Sequence, residues 1–252
     1  MTLLTDESFI YLYDKDKLKG GIYMYFTEAD KPAHVVTIFP QASDLFTKLQ
    51  IDFCCGGDIS LKEQIEQNRL EKDEVLALLN ERYEQWKNEG NEPDNWHIAP
   101  LDELIDYIVH YHHAYIKEEL EPLGEFVNRI YRVHGEDQPH LRELRNIYFT
   151  LKHEMETHTE TEEQEVFPLI KEYVATRDKT LLPKIHEANG DLESEHDETG
   201  NLLKQIRQIT NNFQLPPTAC VTYEMTYRRL AQLEANTFDH IHLENNILFK
   251  RL

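Results

Sequence analysis

Two stretches of the chain repeat one arrangement of side chains that can do chemistry. HTETEEQEVF, from His158 to Phe167, and HIHLENNILF, from His240 to Phe249, both read His-x-x-x-Glu, with Phe at the same later offset. Residues four apart lie side by side on one face of an α-helix, so each stretch sets an imidazole beside a carboxylate. Two such helices facing one another would build a nearly two-fold site.

Helical periodicity of about 100° per residue tells which of the many histidines face inward. Relative to Leu230, His240 falls at about 280° and Glu244 at about 320°, inside the arc of Leu230, Leu233, Ile241, Ile247 and Leu248. His242 falls at about 120°, on the side expected to meet water. The same construction turns His158 and Glu162 inward and His153 outward on a second helix. On a first helix His112 lies at the centre of the apolar face, with His110 opposite and His113 on the flank. On a third, Glu195 and His196 straddle the inner face and His186 points out.

Counted from the helix ends, His112, His158, His196 and His240 sit at one axial level to within a turn or two. His134 does not. It lies 22 residues beyond His112, roughly 33 Å along a helix, and could share their site only if the chain folded back at Pro122. A helix C-terminus, where a histidine is favourable, is its simpler place.

Burying two carboxylates and four imidazoles at one level is costly unless they have partners, and metal coordination satisfies all of them together. Two glutamates can bridge two cations while histidines cap each one. Histidine with bridging carboxylate in a helical bundle suits iron or manganese pairs. Two histidines, one oxygen from each glutamate and a solvent-derived oxo or hydroxo bridge leave each metal about one position short of octahedral. Such a centre can take a small diatomic ligand or exchange its metal. Glu195 is not needed as a ligand. It would orient one or offer ions a path, or else stand as an ordinary solvated carboxylate.

The elements that must hold this site are long. Amphipathic helical patterns run near 101–134, 140–174, 180–211 and 218–250, separated by GEDQP, the stretch around ATRD, and NNFQLPP. Long helices with short connections point to an antiparallel four-helix bundle and an all-α class. Upstream, residues 33–90 read as a small helical domain, with Ser60 and Asp73 as N-caps. NEGNEPDNWHIAP has linker composition and places a linker at 91–100, and SFIYLY and GIYMYF around DKDKLKGG read as a β-hairpin extension over 1–32.

The chain holds three cysteines, too few for a disulfide framework. Cys54 and Cys55 fall in IDFCCGGD, a turn between helices, and are candidate functional residues. They read as reactive thiols polarised by the next helix N-terminus, as a transient metal or exchange site, or as small buried hydrophobes. Cys220 reads as core packing. The net charge of −21 repels phosphate backbones and anionic lipid, so neither nucleic acid nor membrane is an expected partner. No apolar run is long enough to span a bilayer and no signal core opens the chain, so a cytoplasmic location is the default.

VVTIFPQASDLFTKLQIDFCCGGD resembles the small N-terminal domain of the di-iron proteins that repair iron–sulfur clusters, the RIC family. VHYHHAY, HTETEEQEVFPLI, ESEHDETG, PPTACVTYEMTYRRL and DHIHLENNILF, in that order and spacing, resemble its hemerythrin-like domain. The resemblance covers about residues 33–252. It implies two iron ions held by His112, His158, Glu162, His196, His240 and Glu244, and His134 corresponds to a further histidine of the family. It further implies repair of clusters damaged by nitric oxide or peroxide, with iron supplied from a labile centre to damaged client proteins. Reduction of nitric oxide at the centre, and oxygen binding or sensing as in simple hemerythrins, are the competing functions. A homodimer is an admissible assembly.

Overall fold

The structure, a computed structural model, describes residues 25–252 and the backbone of 18–19 and 22–23. The hairpin expected over 1–32 falls mostly outside the described residues. A two-residue ladder there pairs Leu18 with Tyr23 and Lys19 with Ile22, which is too short to establish it.

Four short helices come first: α1 (Pro32–Ile38), α2 (Ala42–Leu49), α3 (Leu61–Gln67) and α4 (Lys72–Asn88). Pro32 opens α1, where its missing N–H is one that the first turn leaves unpaired anyway. Ser60 caps α3, its Oγ accepting from the Glu63 amide at 3.3 Å. Asp73 is not a cap. Glu71 holds that position of α4, and Asp73 lies in the first turn, where its charge still favours the helix N-terminus.

Four long helices follow. The first spans 101–134, as α-helix Leu101–Tyr107, a π-helical turn Ile108–His113 and α-helix Ala114–His134, and it continues through Pro122. The second spans 140–176 with a π turn at Glu162–Val166, and the third is Leu182–Ile209. The fourth spans 221–251 with a π turn at Glu244–Leu248 and a 3₁₀ end. They pack in a ring: first on second, second on third, third on fourth, fourth on first. No helix of the described residues is long and apolar enough to cross a membrane.

Among the described residues, the buried apolar side chains form two clusters. One runs from Val35, Phe39, Phe46 and Leu79 of the short helices into Ile116, Met155, Leu203 and Ile241 of the long ones. The other gathers Ile108, Val166, Leu192, Ile247 and Leu248 toward the opposite end of the ring. In the first three long helices the inward histidines and glutamate fall between the residues given to the two clusters, and in the fourth His240 and Glu244 flank the changeover from Ile241 to Leu243. A polar layer thus lies between two dry ones.

Candidate metal centre

Three π turns fall at this polar layer, and they set its geometry. A π turn spends one extra residue, so the helical face shifts by one position after it. In the first helix the turn covers Ile108–His113, and the ring delivered to the centre is that of His113 rather than His112. The other two π turns begin at Glu162 and Glu244, one turn after His158 and His240. The α-helical i, i+4 pairs survive, at 3.2 Å for His158 Nε2 to Glu162 and 2.9 Å for His240 Nε2 to Glu244.

Two groups of ligand atoms result. His113, Glu162, His240 and Glu244 form one, and His158, Glu162, His196 and Glu244 the other, each within 4.8 Å. Both glutamates belong to both groups, and every member is buried. His113 Nε2 lies 3.0 Å from His240 Nε2, and His158 Nε2 lies 3.0 Å from His196 Nε2.

The outer nitrogens explain what the inner ones offer. His113 Nδ1 donates to Glu163 at 2.8 Å, His158 Nδ1 to Glu195 at 2.8 Å, and His196 Nδ1 to the Asn245 side-chain oxygen at 2.8 Å. A neutral ring that donates from Nδ1 presents a lone pair at Nε2. With both rings of the second group neutral, the two opposed Nε2 atoms are both acceptors, and neither oxygen of Glu162 receives a hydrogen bond. Acceptors in contact in a dry layer repel unless a cation lies among them. The donor set, imidazole nitrogen with carboxylate oxygen, fits iron.

Where no cation is bound, the carboxylates draw protons onto the rings instead. Burial opposes a charge on His113, but Glu162 and Glu244 outweigh it and raise that ring to about 10. Glu244 likewise overcomes burial at His196 and raises it to about 9. Burial and the Glu244 charge push Glu162 up. Glu244 is held well below the usual carboxylate range by His240, His113 and His196, against the cost of burial. The layer draws positive charge.

Of the six residues expected at the centre, the structure brings together His158, Glu162, His196, His240 and Glu244. His112 joins neither group. It is buried, stacks on His240 with centroids 5.8 Å apart, and is pushed down to about 4 by burial. His113, placed on the flank by uniform 100° stepping, is the residue that sequence reasoning missed. The adjacent His-His pair was the available signal, and only the π turn selects between its members. Glu195 belongs to neither group and accepts from His158 Nδ1 from a half-exposed position.

His242 is the second correction. It does not face water but is 3% exposed. Its Nδ1 donates to the Phe53 carbonyl at 3.2 Å, and its Nε2 meets the Thr37 hydroxyl at 3.3 Å. The short helices cover this side of the fourth helix. Burial pushes the ring down to about 4.

The same cover places the cysteine pair. Asp52 Oδ1 accepts the amides of Cys54, Cys55 and Gly56 at 3.0–3.1 Å, and Lys204 of the third helix holds its other oxygen at 2.7 Å. Cys54 Sγ and Cys55 Sγ lie 3.7 Å apart, and Cys55 Sγ reaches the His196 carbonyl at 3.6 Å. Cys54 is buried, and its hydrogen bond to Cys55, burial and the Asp52 charge raise its thiol well above the ordinary value. Its neutral form is the favoured one. Cys220 is exposed rather than packed in the core.

Comparison with known proteins adds to this geometry. The family described as hemerythrin HHE cation binding domain matches residues 104–252, and ScdA_N, a domain of unknown function, matches 30–83. The iron–sulfur cluster repair protein ScdA of Staphylococcus epidermidis is 34% identical over 226 residues, covering 90% of this chain and 99% of that one. ScdA of Staphylococcus haemolyticus is 32% identical over 221 residues, covering 87% and 96%. The iron–sulfur cluster repair protein YtfE of Escherichia coli O157:H7 is 37% identical over 213 residues, covering 84% and 91%. Between a buried His/Glu layer that fits a cation and likeness along nearly the whole length of these relatives, the chain belongs to the hemerythrin HHE family, among its iron–sulfur cluster repair proteins.

Proposed function

We propose that the four long helices form an antiparallel hemerythrin-like bundle around two iron ions, and that the protein repairs damaged iron–sulfur clusters by giving up that iron. The observation that carries this reading is the pair of four-residue groups that share Glu162 and Glu244. His113 and His240 would hold one ion, His158 and His196 the other, and the two glutamates would bridge them. Bound iron supplies a labile metal that a damaged cluster lacks.

The chain's own residues set the terms of release. Glu163, Glu195 and Asn245 orient His113, His158 and His196 by accepting hydrogen bonds from their Nδ1–H groups. Apolar clusters on either side keep bulk water from the layer, which strengthens each charge interaction within it. Oxidatively or nitrosatively damaged clusters in client proteins are the intended acceptors.

The test is transfer. Iron-loaded protein is mixed anaerobically with an apo iron–sulfur protein, sulfide and reductant, and the cluster absorption is followed. Recovery faster than with the same concentration of free ferrous iron is expected. Recovery no faster than that control removes the donor role.

A further inference from the structure

The far end of the long helices carries a second chemical pair, about 30 Å from the metal layer by the rise of the first helix between His113 and His134. His134 Nε2 stands 3.3 Å from Cys220 Sγ. The two residues are 86 apart in sequence and meet only because the first helix ends where the fourth begins. His134 lies in the last turn of its segment, where a histidine cation is favoured, and Cys220 occupies the N-cap position of the fourth helix, where a thiolate is favoured. The His134 ring is braced edge-on against Tyr223, centroids 5.4 Å apart. The sulfur itself is exposed, and so are the neighbours Val133 and Val221, at 66% and 72%.

This is a nucleophile with its own base, open to solvent, and the metal chemistry makes no use of it. We propose that Cys220 and His134 form a surface site for thiol–disulfide exchange with low-molecular-weight disulfides. The Cys220 proton passes to His134 Nε2, and the thiolate attacks one sulfur of R–S–S–R. The bond Cys220 Sγ–S–R forms as the old disulfide breaks, and RS⁻ leaves and takes up a proton as RSH. One disulfide is consumed and one is made, so the small disulfide is the only co-reactant. The product is a chain that carries R at the tip of the ring of helices.

Several groups set the reactivity of this sulfur. The His134 hydrogen bond comes first, then the Tyr223 amide, with partial desolvation opposing and the Thr222 amide adding. Together they lower the thiol to about 7. The other two cysteines serve as internal controls, since Cys54 is buried and Cys55 half-buried.

The experiment maps modification on the full chain by peptide mass spectrometry. Glutathione disulfide is the exchange probe, and iodoacetamide labelling of the Cys220 peptide gives its rate against pH. A mixed disulfide at Cys220 and a labelling midpoint near pH 7 are expected. In His134→Gln the midpoint should rise by at least one unit, toward the free-thiol value of about 8.5. For a full rise to about 8.5, thiolate at pH 7 falls about 16-fold, and the greater nucleophilicity of a more basic thiol offsets part of it, so labelling drops about three- to fourfold. Absence of a glutathione adduct at Cys220, a wild-type midpoint at or above 8.5, or superimposable wild-type and variant profiles overturns the proposal. If His134→Gln does not fold, the wild-type midpoint and the adduct decide alone. Neither readout depends on iron, so failure here leaves the repair reading standing, and failure of iron transfer leaves this one standing.

Discussion

His113 shows how one ring is aimed by what lies behind it. Its Nδ1 is taken by Glu163, which Lys117 grips at 2.6–2.7 Å, so Nε2 can only face Glu162 and His240. His112, its neighbour in sequence, backs onto His240 and offers neither ligand group an atom. The two adjacent histidines therefore separate in a metal assay. His113→Ala should lose at least half of the bound iron, because one group is left with three members. His112→Ala should keep the wild-type iron-to-protein ratio even if it is less stable, since a cavity of this kind costs about 2–4 kcal/mol. Elemental analysis of freshly purified protein reads both, and the reverse order of iron loss would show that the π turn does not place the ring as described.

Elements, not single residues, decide how the cysteine loop meets the long helices. Two glycines lie on opposite sides of that contact. A methyl group on Gly57 would run into the Phe53 carbonyl and come within 2.7 Å of Ala33 Cβ, backbone and helix that cannot easily move. On Gly200 of the third helix it would meet nothing closer than Cys55 Sγ at 3.7 Å, an ordinary contact. Gly57→Ala is expected to cost about 1–3 kcal/mol through overpacking. Gly200→Ala is expected to be neutral or to stabilise by up to about 1 kcal/mol, because alanine is the better helix former. Denaturant midpoints of the two variants test the pair, and a Gly200→Ala more damaging than Gly57→Ala would mean the loop is not seated on the third helix this way.

Charge acts on the molecule as a whole. A net charge of −21 on 252 residues makes the folded state repel itself. Buried pairs such as Arg207 with Glu234, whose side chain is 1% exposed, feel little of the added salt. The general repulsion feels much more, as the screening length shrinks from about 30 Å at 0.01 M to below about 8 Å above physiological ionic strength. Raising sodium chloride from 10 mM to 0.5 M should therefore raise the melting temperature. A gain of about 1 kcal/mol corresponds to roughly 2–4 °C at this size. A flat or falling melting temperature in scanning calorimetry would show that local ion pairs outweigh the global charge.

Local periodicity made much of this protein legible in one dimension. The long helices, the His-x-x-x-Glu pairs at 158/162 and 240/244, and the inward side of His196 all depend on contacts within three or four residues, so composition and period suffice to place them. Three things were decided only in three dimensions. A π turn is a small energetic adjustment set by what packs around it, and it moved the inward position from His112 to His113. The face of His242 was closed by Thr37 and Phe53, 205 and 189 residues away, which no helical wheel can contain. Cys220 met His134 because two helix ends share a corner of the ring. Contacts between residues distant along the chain depend on how whole elements pack, and that packing is a property of the assembled tertiary structure.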